Sequence, residues 1–229
     1  MNDPSRDKVW QMFDAISPTY DRTNRIISFG RDQYWRAKVA EFLPPQKNLK
    51  ILDLATGTGD QALALIKSQA SIHSITGIDL SSEMLEIAKR KIPCKMQFMV
   101  ADAEQLPFKE KTFDAATFSF GIRNVTDPSK SLKEMYRVLK QKGRALILEF
   151  SLPPQPIRAF FFFYLRHILP RLAGMVSKNR LAYQYLNKTI EHFPSGKAFC
   201  ALMREAGFGR LKAIPMNLGS VTLYIGEKS

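Results

Sequence analysis

The sequence predicts an α/β fold on a mostly parallel sheet, and three observations carry the expectation. From Leu49 to Phe150, strand-like apolar runs alternate with helical patterns, the signature of βαβ units. The strand runs are apolar throughout rather than alternating, which requires helices over both faces. The last two runs, RLKAIPMN and SVTLYIGEK, read as a hairpin that joins the sheet and brings it to seven strands.

Taken in order, residues 1–48 carry two helical patterns, Asp7 to Ile16 and Arg31 to Phe42, around a polar turn, with Pro44 and Pro45 stopping the second. Residues 49–150 hold five strands, LKILDLA, IHSITGIDL, KMQFMVAD, FDAATFSFG and GRALILEF. Between them lie the helical runs QALALIKSQA, SEMLEIAKRK and PSKSLKEMYRVLK. After Phe150 the pattern changes, and residues 151–193 read as a helical insertion with proline punctuation and the aromatic run AFFFFYLRHIL. Residues 194–229 add the helix SGKAFCALMREAGF, whose Gly207 suits a helix stop, and then the hairpin. A chain of 229 residues accommodates all of this as a single domain.

Composition sets bounds on function. At 45% hydrophobic and 24% charged, the chain has the make-up of an ordinary globular protein. Cys94 and Cys200 have no metal-ligand spacing with each other or with the three histidines, so reduced thiols and no metal are expected. The opening MNDPSRDKVWQMF lacks a signal peptide's apolar core, and no run of about 18 apolar residues occurs; the expected location is cytoplasmic. Net charge is +13, of which +8 falls on residues 151–229, where eleven Lys/Arg face three Asp/Glu. A basic surface favours nucleic acid, anionic lipid or a phosphate-bearing substrate, and charge does not choose among them.

Two readings meet at the cofactor loop. In KILDLATGTGDQA, Gly57, Gly59 and Ala62 satisfy the G-x-G-x-x-G/A fingerprint, and Asp79 ends the next strand, where an acidic residue can hold a ribose; a dinucleotide fits this pattern. Three features favour S-adenosylmethionine and a Rossmann-like class I methyltransferase fold. Asp53 sits at the end of the first strand, where a carboxylate can meet a cationic ligand's amino group. Asp102 and Ala103 follow the third strand, where an adenine can be read, and the closing hairpin suits the methyltransferase variant of the sheet. As alternatives without a ligand, Asp53 is a counter-charge to a helix N-terminus, Asp79 a cap for the following helix, and Asp102 a turn residue.

Together with LDLATGTGD and GIDLSSEML, the segments ADAEQLPF, FSFGIRNVTD, EMYRVLK, LEFSLP, YLNKTIEHFP and MREAGF closely resemble the ubiquinone/menaquinone biosynthesis C-methyltransferase family. The opening MFDAISPTYDRTNRIISFGRDQYWR resembles that family's N-terminal signature. The glycine loop is common to many methyltransferases, whereas FGIRNVTD, LEFSLP and the YL…FP segment are specific. The resemblance implies cofactor contacts at Thr58, Asp79, Asp102, Ala103 and Ser119, and an N-terminal helical lid that includes Tyr20 and Asp21. The chain departs from the family at Thr56, where glycine is usual, at Asp102, where asparagine is frequent, and at Tyr224, where histidine is common; a base role for that histidine does not transfer.

The implied reaction methylates a ring carbon of a reduced polyprenyl quinone, demethylmenaquinol or a ubiquinol precursor. Ionising a quinol hydroxyl of pKa about 10 sends electron density to the ortho carbon, so a nearby cation speeds the displacement. Arg123 and Asn124 follow the fourth strand, at the carboxyl end where open α/β sheets bind ligands. Arg123 suits the phenolate and Asn124 a substrate oxygen or a water. The structural alternative pairs Arg123 with Asp127 and makes Asn124 the cap of the helix at Pro128; for Tyr20 and Asp21 it is a turn capped by Asp21. His73 reads as exposed before a strand, and His167 and His192 lie in the insertion, within possible reach of substrate. The run AFFFFYLRHIL, flanked by Arg158, Arg166 and Arg171, is too short to span a bilayer but suits a peripheral membrane contact or a wall for a greasy tail. Burial against the sheet or in a homodimer is its alternative. Nucleic acid is not expected as a partner; an RNA methyltransferase and a noncatalytic lipid-binding module are the competing functions.

Overall fold

The computed structural model describes residues 8–68, 70–92, 96–174 and 180–229; Asp7, where the first helical pattern begins, and Cys94 lie outside them. Three helices open the chain, α1 (Val9–Ile16), α2 (Tyr20–Ile27) and α3 (Arg31–Ala40). Where the sequence suggests a polar turn, α2 stands. Its polarity belongs to paired side chains, because Asp21 binds Lys91 and Arg25 binds Asp60 across to the body of the protein.

Then follow β1 (Leu49–Leu54), α4 (Asp60–Lys67), β2 (Ile72–Asp79), α5 (Ser82–Lys91), β3 (Met96–Val100), β4 (Phe113–Ser119), α6 (Pro128–Val138) and β5 (Leu139–Phe150). The insertion contains α7 (Ile157–Phe163), a single π-helical turn over Tyr164–Ile168, α8 (Leu169–Gly174) and α9 (Arg180–His192). The chain closes with α10 (Lys197–Glu205), β6 (Phe208–Met216) and β7 (Val221–Lys228). The seven strands form one sheet in the order β3-β2-β1-β4-β5-β7-β6. Only β7 is reversed, antiparallel to both β5 and β6, so the expected hairpin is present and enters the sheet by the inner of its two strands.

The order reverses between β1 and β4, and the crevice above that point is where such sheets bind ligands. Both strands are sandwiched: every residue of β4 is buried. One face packs Leu52, Phe118 and Ile147 against Leu132, Met135, Phe199 and Met203 from α6 and α10. The other packs Ile51, Leu146 and Leu148 against Trp35, Val39 and Leu65 from α3 and α4. Truncating one of these fully buried aliphatics to alanine costs about 2–5 kcal/mol, so the crevice rests on a rigid floor.

Local chemistry fixes the helix starts beside the crevice. Ser81 caps α5 by accepting from the Met84 N–H at 3.1 Å, and Asp127 caps α6 by accepting from Ser129 N at 2.8 Å, with Pro128 at the first helical position. Asp127, not Asn124, is therefore the cap. Two further expectations change: His73 lies inside β2 with its side chain exposed, and β5 begins at Leu139 rather than at Gly143. In the aromatic run, Phe161 and Phe162 pack on the cluster formed by Leu165, Leu169 and Ile190, while Phe160 and Phe163 face outward.

Candidate functional site

At the carboxyl ends of β1, β2 and β4 lies a cleft of about 300 Å³. Its floor is the glycine loop, where Ala55, Gly57 and Gly59 all take the left-handed backbone region, at φ 46, 55 and 82°. A Cβ on Gly57 would meet nothing within 4 Å, so this glycine serves its φ and the space over the loop stays open. At Gly59 a Cβ would lie 2.9 Å from Ile92 Cδ1 and 3.2 Å from Ala88 Cβ, so that glycine serves close packing against α5.

Of the expected cofactor contacts, Gly57, Thr58, Asp79, Asp102, Ala103 and Ser119 line this cleft. The Asp79 carboxylate accepts from the Gly57 N–H at 2.8 Å and from the Ser81 N–H at 2.9 Å. Burial nevertheless pushes its pKa up to about 6, with the backbone donors pulling the other way. The exposed Asp102 accepts from the Glu104 N–H at 2.8 Å, and Ala103 is buried behind it. Ser119 donates to Gln61 Oε1 at 2.9 Å.

Asp53 corrects an expectation. Its carboxylate does not line the cleft; it is buried beneath the loop, where the Thr56 and Thr117 hydroxyls each donate to it at 2.6 Å. A carboxylate in that position must be satisfied internally, and Asp53 ties the loop to β4. Thr56, standing where the resembled family has glycine, is one of the two donors.

The mouth of β4 is strained and polar. Phe120 takes φ 59°, a region that a bulky side chain rarely adopts. Gly121 is needed for space rather than for φ, since a Cβ there would lie 2.6 Å from Phe118 Cε2 and 2.8 Å from Ala55 Cβ. Arg123 is only 7% exposed, and its partner is not Asp127. Its Nη1 donates to Glu149 Oε1 at 2.7 Å and to the Phe120 carbonyl at 2.7 Å, while its guanidinium carbon lies 5.2 Å from the centre of the Phe150 ring. Asn124 is buried, lines the cleft, and has an Oδ1 with no hydrogen-bond partner.

Beside the cleft, between the N-terminal helices and the insertion, lies a smaller chamber of about 70 Å³. Tyr20, Arg36 and Phe120 line both spaces, and Arg123, Trp35 and Phe150 line the chamber. Three donors around it, Trp35 Nε1, Arg36 Nε and Arg123 Nε, are buried without partners. Burial raises the pKa of the Tyr20 hydroxyl, against the pull of the nearby Arg36 and Arg123 charges.

Asp21, expected beside Tyr20, faces elsewhere and lines neither space. It accepts from the Thr58 hydroxyl and from Lys91 Nζ, each at 2.5 Å. Lys91 also reaches Asp60 at 2.6 Å, and Asp60 binds Arg25, which in turn pairs with Asp32. This chain of charges latches α2 and α3 onto the glycine loop.

The histidines stand apart: His167 and His192 are exposed and line neither space. Tyr224 is fully buried, and its hydroxyl accepts from the Gly196 N–H at 2.7 Å, a structural role at the start of α10. Sequence reasoning missed Arg36, Trp35, Lys91 and Glu149. Glu149 alone carried a signal, as a single carboxylate in an apolar strand that must find a buried cation. Arg36 and Lys91 look like ordinary surface residues of their helices.

Comparison with known proteins adds the following. The model of the ubiE/COQ5 methyltransferase family matches residues 1–228. The chain is 42% identical over 228 residues to the ubiquinone/menaquinone biosynthesis C-methyltransferase UbiE of Geotalea uraniireducens, covering 97% of both chains. It is 39% identical over 229 residues to the demethylmenaquinone methyltransferase of Chlorobaculum parvum, covering 98% of this chain and 94% of that one. A crystal structure of a SAM-dependent methyltransferase from Thermotoga maritima superposes with a TM-score of 0.67 at 20% identity, over 96% of this chain and 99% of that one, a likeness of fold.

Proposed function

The chain belongs to the ubiE/COQ5 methyltransferase family and is a C-methyltransferase dependent on S-adenosylmethionine; we propose that its acceptor is the ring of a reduced polyprenyl quinone, demethylmenaquinol before a ubiquinol precursor. The observation that carries this reading is the set of unpartnered polar atoms where the cleft meets the chamber. Arg123 Nε and Trp35 Nε1 on the chamber side and Asn124 Oδ1 on the cleft side are buried to either side of Phe120, polar atoms that suit a flat apolar ring with oxygens at its edge.

The residues present suit the methyl donor. The space over Gly57 is open, Asp79 can accept from ribose hydroxyls, and Asp102 with Ala103 borders the place for the adenine. When bound, the donor supplies an electrophilic methyl on a sulfonium. Arg123, paired with Glu149, keeps an unpartnered Nε–H at the chamber and donates it to the phenolate oxygen as the quinol ionises from its pKa of about 10. Glu149 aims that guanidinium, and Asn124 orients a ring oxygen. Phe120 and Tyr20 separate the two spaces and set the ring's approach to the cleft, while α1 and α2 exclude water. At about 70 Å³ the chamber is smaller than the ring, so substrate entry requires its walls to move apart.

The outward Phe160 and Phe163, 75% and 58% exposed, with Arg171 nearby, support peripheral contact with an anionic bilayer that stores the substrate. Among the described residues no helix is long and apolar enough to cross a membrane.

The test supplies purified protein with the methyl donor and a short-tailed demethylmenaquinol kept reduced. Ring-methylated product from the quinol and none from the oxidised quinone supports the reading. Methylation of RNA in place of the quinol, or donor binding without turnover on the quinol, overturns it.

A further inference from the structure

We propose that Arg36 binds the carboxylate of the methyl donor's amino-acid end and so selects a donor that carries that carboxylate; this rests on the donor assignment above. Arg36 is 8% exposed, on the buried side of α3, and is the one Lys or Arg among the described residues lining the cleft. The charged groups sharing that wall are Asp60, Asp79, Asp102 and Glu104, all anionic.

A buried guanidinium normally has a carboxylate partner. The acidic groups near Arg36 make their contacts elsewhere: Asp60, whose pKa the Arg36 charge helps to lower, is in direct contact with Lys91 and Arg25, and Glu149 with Arg123. Arg36 forms no ion pair with a described residue, its Nε is unpartnered, and its guanidinium carbon rests 5.2 Å from the centre of the Phe120 ring. That arrangement leaves a planar pair of donors for a bidentate anion.

Position identifies the anion. With ribose held at Asp79 and adenine bordered by Asp102 and Ala103, the aminoacyl end of the donor would fall to the rest of the lining, which includes Gly57, Phe120, Gly121 and Arg36. Its α-carboxylate is the only anionic group the donor carries. The backbone of Arg36 is fixed to the same end: Gln61 Nε2 donates to the Arg36 carbonyl at 3.2 Å, and Gln61 Oε1 accepts from Ser119 at 2.9 Å. Arg123 and Arg36 therefore divide the work: the one in contact with Glu149 faces the acceptor ring, and the one without an ion-pair contact to a described residue faces the donor.

Calorimetric titration of the full chain with S-adenosylhomocysteine and with its decarboxylated analogue tests this without turnover. A charge-assisted hydrogen bond contributes enough for the wild type to prefer the carboxylated ligand by about 10- to 150-fold. Arg36→Gln is expected to abolish that preference while binding the decarboxylated analogue as the wild type does, and Arg36→Lys to keep part of it. Equal affinity of the wild type for both ligands overturns the proposal, as does an equal loss of both in Arg36→Gln. Should that variant fail to fold, the wild-type preference and its reduction in Arg36→Lys decide. Wild-type protein that binds neither ligand overturns the donor assignment itself, a result distinct from binding without preference.

Discussion

Replacing Arg123 by glutamine removes the cation from a pair whose carboxylate, Glu149, has no exposure to solvent. Breaking one side of a buried ion pair costs about 3–5 kcal/mol, because the remaining charge has no solvent. For a chain of this size each kcal/mol lowers Tm by about 2–4 °C, so Arg123→Gln should melt about 6–20 °C lower at pH 8. Burial pushes the Glu149 pKa up while Arg123 pulls it down, so loss of Arg123 raises it further. A folded-state pKa above the unfolded value means that the fold prefers the neutral acid. The deficit is therefore full at alkaline pH and shrinks as the pH falls through the raised value. Thermal melts of wild type and variant at pH 5.5 and 8 measure this. The double variant Arg123→Gln with Glu149→Gln removes the uncompensated charge, keeps an acceptor for the Phe150 N–H, and should recover most of the stability. If Arg123 serves the phenolate, the double variant still binds S-adenosylhomocysteine but stays inactive. A deficit below about 1 kcal/mol, or one that grows toward acid, refutes the stability argument; an active double variant refutes the catalytic one.

Three further outcomes follow from the geometry. Asp79→Asn should weaken S-adenosylhomocysteine binding by about tenfold or more; wild-type affinity should fall as pH drops below the Asp79 pKa of about 6, a dependence the variant lacks in calorimetry at pH 5 and 7.5. Gly121→Ala forces a Cβ to 2.6 Å from Phe118 and should cost about 1–3 kcal/mol in urea melts, with a matching loss of cofactor affinity. Lys91→Met cuts the links to Asp21 and Asp60, so limited proteolysis should cleave the segment around α2 faster than in wild type, as should high salt acting on the wild type.

The sheet was legible in the sequence because β4 and β5 are covered on both faces, and only near-continuous apolar runs survive there. The glycine loop was legible for the same kind of reason: Gly57 answers to φ and Gly59 to φ and contact together, and few residues satisfy either. What escaped was pairing. Asp53 and Asp21 carry the residue type of ligand contacts, yet their carboxylates are spent on Thr56, Thr117, Thr58 and Lys91, partners 3 to 70 positions away. Likewise α2 looked like a turn because its charges answer to α4 and α5 rather than to solvent. Arg123 was found by its place after β4, but its partner, 26 positions on, was not.

The excess of carboxylates around the cleft tells the donor from its by-product. The donor enters with a sulfonium, an ammonium and a carboxylate, a net single positive charge; once the methyl has left, the by-product is neutral. With Asp60 already held by Lys91 and Arg25, it is Asp79, Asp102 and Glu104 that lose an attraction at that moment. The same wall that gathers the reactant thus loosens its grip on the spent nucleoside, and the change of charge works in favour of release.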